Sequence, residues 1–200
     1  MYLIENTDVL RYQEALDMTR HHYPYMLDQV VEQMGIVEFK IQRWWASKID
    51  LINKSVNIFN SGFGMYSVPL ANEKGASWIR TYDKCPIMTY IITAANEVIG
   101  KPDIIHKRVD FIFNPEHIKD ADVWINTSCE HTYPMGDIIP KGKLCVMSGN
   151  NLKKPGHINH ITSLQELNDQ CKLSTIIKED VMRFEHDNKK YNQYFVIGIK

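Results

Sequence analysis

From Ser55 to the end of the chain, short β-prone stretches alternate with helical ones, and the last two β-prone stretches are separated only by a polar connection. That order leaves few folds open. Strands separated by helices belong to a parallel sheet, because a parallel pair needs a long crossover. Two consecutive strands with a short connection must pair antiparallel. The stretches are residues 55–59, 76–82, 104–109, 122–126, 143–148, 173–184 and 194–199, with Glu185-His-Asp-Asn-Lys-Lys190 as the polar turn of the final pair. Helices are expected over 66–72, closed by Gly75, and over 87–99, with Pro86 at the first position and Gly100 past the end. Ser163-Leu-Gln-Glu166 is a capping box that opens another. The chain should therefore form an open, mostly parallel sheet with residues 56–59 near its centre and 194–199 inserted antiparallel.

The first fifty residues read as helical. Thr7 and Asp8 can cap a segment that carries Val9, Tyr12, Leu16 and Thr19 on one face. Pro24 interrupts it, and Met26, Val30, Val31 and Met34 repeat at helical spacing before Gly35. A third helix is expected over 38–53, with Ile41, Trp44, Trp45, Ile49 and Ile52 facing the sheet and both tryptophans in the core. Residues 1–54 are thus read as a helical segment packing on a core formed by 55–200, one domain overall.

Composition narrows the function classes. The net charge is −1 and the pI is near 6.7, without the surplus of Lys and Arg that binding to long duplexes requires, so nucleic acid is disfavoured as a partner. A local basic patch between Lys101 and Arg108 is the exception. Cys85, Cys129, Cys145 and Cys171 form no Cys-x-x-Cys pair, which argues against a zinc site and a disulfide scaffold. No apolar run is long enough to span a bilayer and the first residues lack a signal pattern, so a reducing cytoplasm is the expected setting.

In an open α/β sheet, ligands bind beyond the carboxyl ends of the strands, which draws attention to the loops near Asn60, Asp83, Asp110, Thr127 and Ser148. Gly62 and Gly64 follow the first strand directly, where missing side chains let a ligand approach the backbone. Asp83 closes the second strand about twenty residues later, where a carboxylate can accept hydrogen bonds from ribose hydroxyls. Both features also suit a dinucleotide. However, the third glycine of the dinucleotide pattern falls on Ser67, and the 140 residues after Asn60 leave no separate substrate domain.

Two motifs carry a family resemblance. Asn60-Ser-Gly-Phe-Gly-Met-Tyr66 matches in part an acidic residue followed by Gly-x-Gly-x-Gly, with Asn60 in place of the acid and Tyr66 in place of the third glycine. Asp83-Lys-Cys-Pro86, followed by Ala94, Ala95 and Asn96, matches the end of a second strand and its helix. The chain from about Ser55 onward thereby resembles the class I methyltransferases that use S-adenosylmethionine (SAM), which also end in a β-hairpin. The resemblance implies a Rossmann-like α/β fold with a mostly parallel seven-stranded sheet. It implies SAM as cofactor, held by Asn60, Gly62, Gly64, Asp83, Asp110 and Thr127.

The run Asn126-Thr-Ser-Cys-Glu-His131 ends the fourth strand, where that family places substrate-facing and catalytic residues. Glu130 or His131 can act as a base and Cys129 as a nucleophile, while Ser128, Asn150 and Asn151 face the acceptor. His157 and His160, three apart, lack an adjacent acid or cysteine pair, so no metal is expected. The reading is a methyltransferase with a small-molecule acceptor, a homo-oligomer being left open. Transfer of the aminocarboxypropyl arm of SAM, a non-catalytic SAM- or nucleotide-binding or assembly module, and an NAD-dependent oxidoreductase are the alternatives.

Overall fold

The computed structural model describes residues 6–62, 64, 66–98, 104–108, 114–186 and 188–200. Three helices come first: α1 (Asn6–His22), α2 (Leu27–Gln33) after a 3-10 turn at Pro24–Met26, and α3 (Ile36–Ala46). Strands and helices then alternate as β1 (Ser55–Phe59), α4 (Ser67–Glu73), β2 (Trp78–Asp83), α5 (Pro86–Val98), β3 (Ile104–Arg108), β4 (Val123–Asn126), β5 (Leu144–Asn150) and α6 (Leu164–Cys171). The hairpin of β6 (Thr175–His186) and β7 (Lys189–Ile199) closes the chain.

The strands make one sheet in the order β3-β2-β1-β4-β5-β7-β6. The first five in that order are parallel, and β7 is antiparallel to both of its neighbours. The order reverses between β1 and β4, so the carboxyl ends of these two central strands define the switch point at which such sheets bind ligands.

Alternating side chains along each strand feed two cores. Val56 and Ile58 of β1 join Ile79, Val123, Ile125, Val146, Phe195 and Ile197 on one face, covered by Trp44 and Trp45 of α3. On the other face Phe59 stacks on Tyr82 and on Trp124, each pair 5.1 Å between ring centres, tying β2, β1 and β4 together. Both tryptophans of α3 are buried as expected, and each indole N–H is satisfied: Trp44 Nε1 donates to Asp180 Oδ2 at 2.9 Å and Trp45 Nε1 to Gln42 Oε1 at 2.8 Å.

Two boundaries differ from the sequence reading. The third helix stops at Ala46 instead of running to residue 53, because the chain turns down so that Leu51 is fully buried while Ile52 is 61% exposed. The expected polar turn at 185–190 is mostly strand, with Glu185 paired to Lys190 and His186 to Lys189. Asn188, at φ 61°, takes the left-handed conformation favoured in a two-residue hairpin turn. Ser163 does cap α6, its Oγ accepting from Glu166 N at 3.1 Å, but Glu166 reaches back to Thr162 N at 2.8 Å. Among the described residues no helix is long and apolar enough to cross a membrane.

Candidate functional site

The carboxyl ends of β1, β2, β4 and β5 meet at one rim. Past β1 the backbone turns sharply: Asn60, Gly62 and Gly64 all have positive φ, at 48°, 52° and 56°. This is costly for Asn60 and free for the glycines. Gly64 N donates to Ser61 O at 2.6 Å, which tightens the loop. Asp83, the last residue of β2, holds the loop from the side. Its Oδ2 accepts from Gly62 N at 2.9 Å and its Oδ1 from Cys85 N at 2.8 Å. Burial raises the Asp83 carboxyl above its ordinary value, and the two backbone N–H groups oppose that rise. Each carboxylate oxygen keeps a second lone pair for a further donor.

Asn60 faces β4. Its Nδ2 donates to Ser128 O at 3.0 Å and lies 3.4 Å from Asn126 Oδ1. Asn126 is fully buried, and its Oδ1 also accepts from Ser128 N at 3.0 Å. The glycine loop and the Thr127–His131 stretch are thereby locked together. Thr127 is met from the opposite side by α3, since Gln42 Nε2 donates to Thr127 Oγ1 at 2.6 Å and to Glu38 Oε1 at 2.6 Å. Burial raises the Glu38 carboxyl, with the Gln42 hydrogen bond opposing. Tyr66 Oη donates to Met34 O, and its ring meets Phe39 at 5.2 Å, so the N-terminal helices also touch the glycine loop.

The run Cys129–His131 is a 3-10 turn, which points consecutive side chains in different directions. Cys129 is buried, and its Sγ donates to Asn126 O at 3.4 Å. Desolvation pushes its thiol well above the ordinary 9. Cys129 sits beside Gly149 in the core cluster that also holds Ile161, and a thiol raised in this way is a poor nucleophile. Glu130 is only 6% exposed. Its Oε1 accepts from Asn150 Nδ2 at 2.9 Å, while its Oε2 is buried without a hydrogen-bond partner among the described residues. Desolvation first, then the charge of Glu38, pushes the Glu130 carboxyl up from 4.5 to about 8.

His131 lies at the mouth, its Nδ1 3.1 Å from Gly156 O and its Nε2 4.0 Å from Glu130 Oε1. Burial lowers it below the ordinary histidine value. Its ring meets that of His157 edge-on, 4.7 Å between centres. Asn150 is a positioning residue for Glu130, with its Oδ1 accepting from Leu152 N at 3.0 Å. Asn151 instead extends the β5–β7 pairing through Asn192 N at 2.9 Å and lines a cavity of about 560 Å³ with Arg183, Phe184, Tyr191 and Asn192. Burial, and then the charges of Glu130, Glu38 and Glu32, push Tyr191 up to about 12. Asp110 and the basic patch of residues 101–108 lie wholly or largely outside the described residues and side chains.

The structure brings Asn60, Gly62, Gly64 and Asp83 together and joins them through Asn126 and Ser128 to the stretch that carries Thr127, Glu130 and His131, with Asn150 on Glu130. Glu38 and Gln42 were missed because a charged and an amide residue four apart on a helix read as a solvated face. Their only sequence clue is the flanking Trp44 and Trp45. His157 was paired with His160 by spacing, whereas in space it meets His131 and Glu130.

The fold has counterparts of known structure. A protein described as a sarcosine dimethylglycine methyltransferase from Galdieria sulphuraria superposes with a TM-score of 0.63 at 12% identity, covering 81% of this chain and 86% of that one. M. jannaschii TYW2, solved in complex with AdoMet (that is, SAM), superposes at 0.57 and 12% identity over 83% and 78%. A ribosomal protein L11 methylase from Lactobacillus delbrueckii subsp. bulgaricus gives 0.55 at 12% over 81% and 78%. No protein-family model matches the chain, and no curated protein matches it in sequence. The chain carries the class I SAM-dependent methyltransferase-like fold. The fold does not extend to the acceptor: these neighbours differ in what they are named for, and the expectation against nucleic acid gains no support from them.

Proposed function

We propose that this chain is a SAM-dependent methyltransferase acting on a small-molecule acceptor. The observation that carries the reading is the hydrogen bond from Gly62 N to Asp83 Oδ2 at 2.9 Å, which joins the glycine loop and the acid of β2 into one cradle at the switch point. The residues present fit the cofactor. Gly62 and Gly64, both buried, put no side chains on the loop, and Asp83 retains acceptor capacity for both ribose hydroxyls after serving its two backbone partners. Asn60 keeps a polar contact where the resemblance expects an acid. Asp110 and Thr127 complete the cofactor side of the proposal.

When bound, SAM supplies a methyl group activated on a sulfonium, so the chain's own task is alignment and removal of one proton. Glu130, in the ionised form it reaches towards pH 8, and His131 face the acceptor across from the cradle and would take that proton. Asn150 holds Glu130 in place, and Ser128 and Asn151 line the approach.

The test is production of S-adenosylhomocysteine from SAM by the full chain supplied with fractionated metabolite extract, comparing wild type with Glu130→Gln. The proposal expects product dependent on a small-molecule fraction and at least about a hundredfold slower in the variant, the scale of a lost proton-transfer group. Equal rates in both proteins would remove Glu130 from the chemistry.

A further inference from the structure

Three ligand-type side chains converge on the acceptor side of the rim. Glu130 and His131 come from the 3-10 turn after β4, and His157 comes from the loop after β5. A hydrogen bond of 3.2 Å from His157 N to Lys154 O closes the turn Lys154-Pro155-Gly156-His157, and Gly156 has a φ of 88°. This is the pattern of a type II turn, with proline and glycine in the positions that favour it. One donor atom from each of Glu130, His131 and His157 lies within 4.8 Å of the other two.

Hydrogen bonding fixes which atoms these rings can offer. A backbone carbonyl only accepts, so the His131 Nδ1 that lies 3.1 Å from Gly156 O carries its proton, and so does the His157 Nδ1 that lies 2.7 Å from Leu152 O. In a neutral ring the opposite nitrogen, Nε2, is then a bare lone pair. His131 Nε2 stands 4.0 Å from Glu130 Oε1, and Glu130 Oε2 is buried with no hydrogen-bond partner among the described residues. Asn150 serves Oε1 alone. Ligand atoms of three side chains therefore lie close together, and each histidine is held through its Nδ1 by a backbone carbonyl, as metal-bound histidines are.

We infer that Glu130, His131 and His157 form a site for a divalent first-row transition-metal ion. Two imidazoles and one carboxylate suit Zn²⁺, Fe²⁺ or Co²⁺, whereas Mg²⁺ and Ca²⁺ take oxygen ligands. Ligand atoms about 2.1 Å from one tetrahedral ion stand about 3.4 Å apart. The set must therefore close by a little over an ångström when the ion binds. Lys154 of the same loop is held by Glu32 at 2.9 Å. Three protein ligands leave a position open on the acceptor side, where an acceptor oxygen can bind and lose its proton more readily. In the loaded site Glu130 and His131 act through the ion instead of as free bases. The inference uses the same cluster as the proposed chemistry, but it does not depend on methyl transfer.

The test is titration of tag-free, chelator-stripped full chain with Zn²⁺ by calorimetry and with Co²⁺ by visible absorption, in the absence of SAM. One equivalent of either ion is expected, with Co²⁺ bands of a low-coordinate nitrogen and oxygen site and no competition from millimolar Mg²⁺. His157→Ala and His131→Ala, checked for folding by circular dichroism, should each weaken binding at least tenfold, while His160→Ala should bind as wild type. Absence of stoichiometric binding, binding unchanged in His157→Ala, or binding lost in His160→Ala would each overturn the assignment. A protein that binds the ion but not SAM would support this site while refuting the methyl-transfer reading.

Discussion

Glu130→Gln should make the metal-free protein more stable at neutral pH. The folded chain holds the Glu130 carboxyl at about 8 against an ordinary 4.5, chiefly because burial disfavours the charged form. Between those pH values the folded protein keeps a proton that the unfolded chain has released. Stability therefore falls as pH rises, by about 1.4 kcal/mol per pH unit. The loss is present in part from pH 4.5, reaches about 3 kcal/mol by pH 7 and levels off near about 5 kcal/mol above pH 8. Glutamine has the same shape, can still accept from Asn150 and does not titrate, so the variant escapes this term. Urea unfolding followed by tryptophan fluorescence, with chelator present, should give wild type and variant similar free energies near pH 4.5. The variant should then gain steadily up to pH 8. Groups shared by the two proteins cancel in the difference. A gap that is constant across this range, or that narrows with pH, would refute the claim that Glu130 is held buried against its charge.

Asp83→Asn should cost about 1–3 kcal/mol of stability, because its amide nitrogen must face either Gly62 N–H or Cys85 N–H and leave that donor unpaired; urea midpoints measure this. Of the four cysteines, only Cys85 should react promptly with a thiol reagent at pH 8, since Cys129, Cys145 and Cys171 are buried with raised thiols. Release of more than one equivalent before denaturant is added would contradict their burial. Gly198→Ala should destabilise the hairpin by at least about 1–3 kcal/mol, because its Cβ would stand 2.4 Å from Thr175 O, a backbone atom that cannot rotate away; an unchanged melting temperature would count against the β6–β7 register.

The sheet was legible because its signals are local. Pro86 at the start of α5, Ser163 before α6 and the two consecutive strands at the end each act within a few residues. The helix expected to reach residue 53 failed where a tertiary choice, burying Leu51 in place of Ile52, outweighed helical spacing. The long hairpin was cut short because exposed edge-strand residues such as Glu185 and Lys190 are as polar as those of a turn. In the site, Asp83 was recognisable by its position at a strand end, but its grip on Gly62 was not. The Glu130–His131–His157 cluster depends on a turn at Pro155-Gly156 that folds one loop against another, so no spacing along the chain could reveal it. Gln42 was hidden for the same reason, its partner Thr127 lying at the end of β4.

The central claim is that the cradle made by the glycine loop and Asp83 binds SAM, and calorimetry on the full chain with SAM and with NAD tests it directly. One SAM per chain is expected, with no heat from NAD. Asp83→Ala, verified as folded, should weaken SAM at least tenfold, equivalent to about 1.4 kcal/mol, as loss of the ribose contacts requires. Binding of NAD in preference to SAM, or SAM bound by Asp83→Ala as tightly as by wild type, would contradict the account.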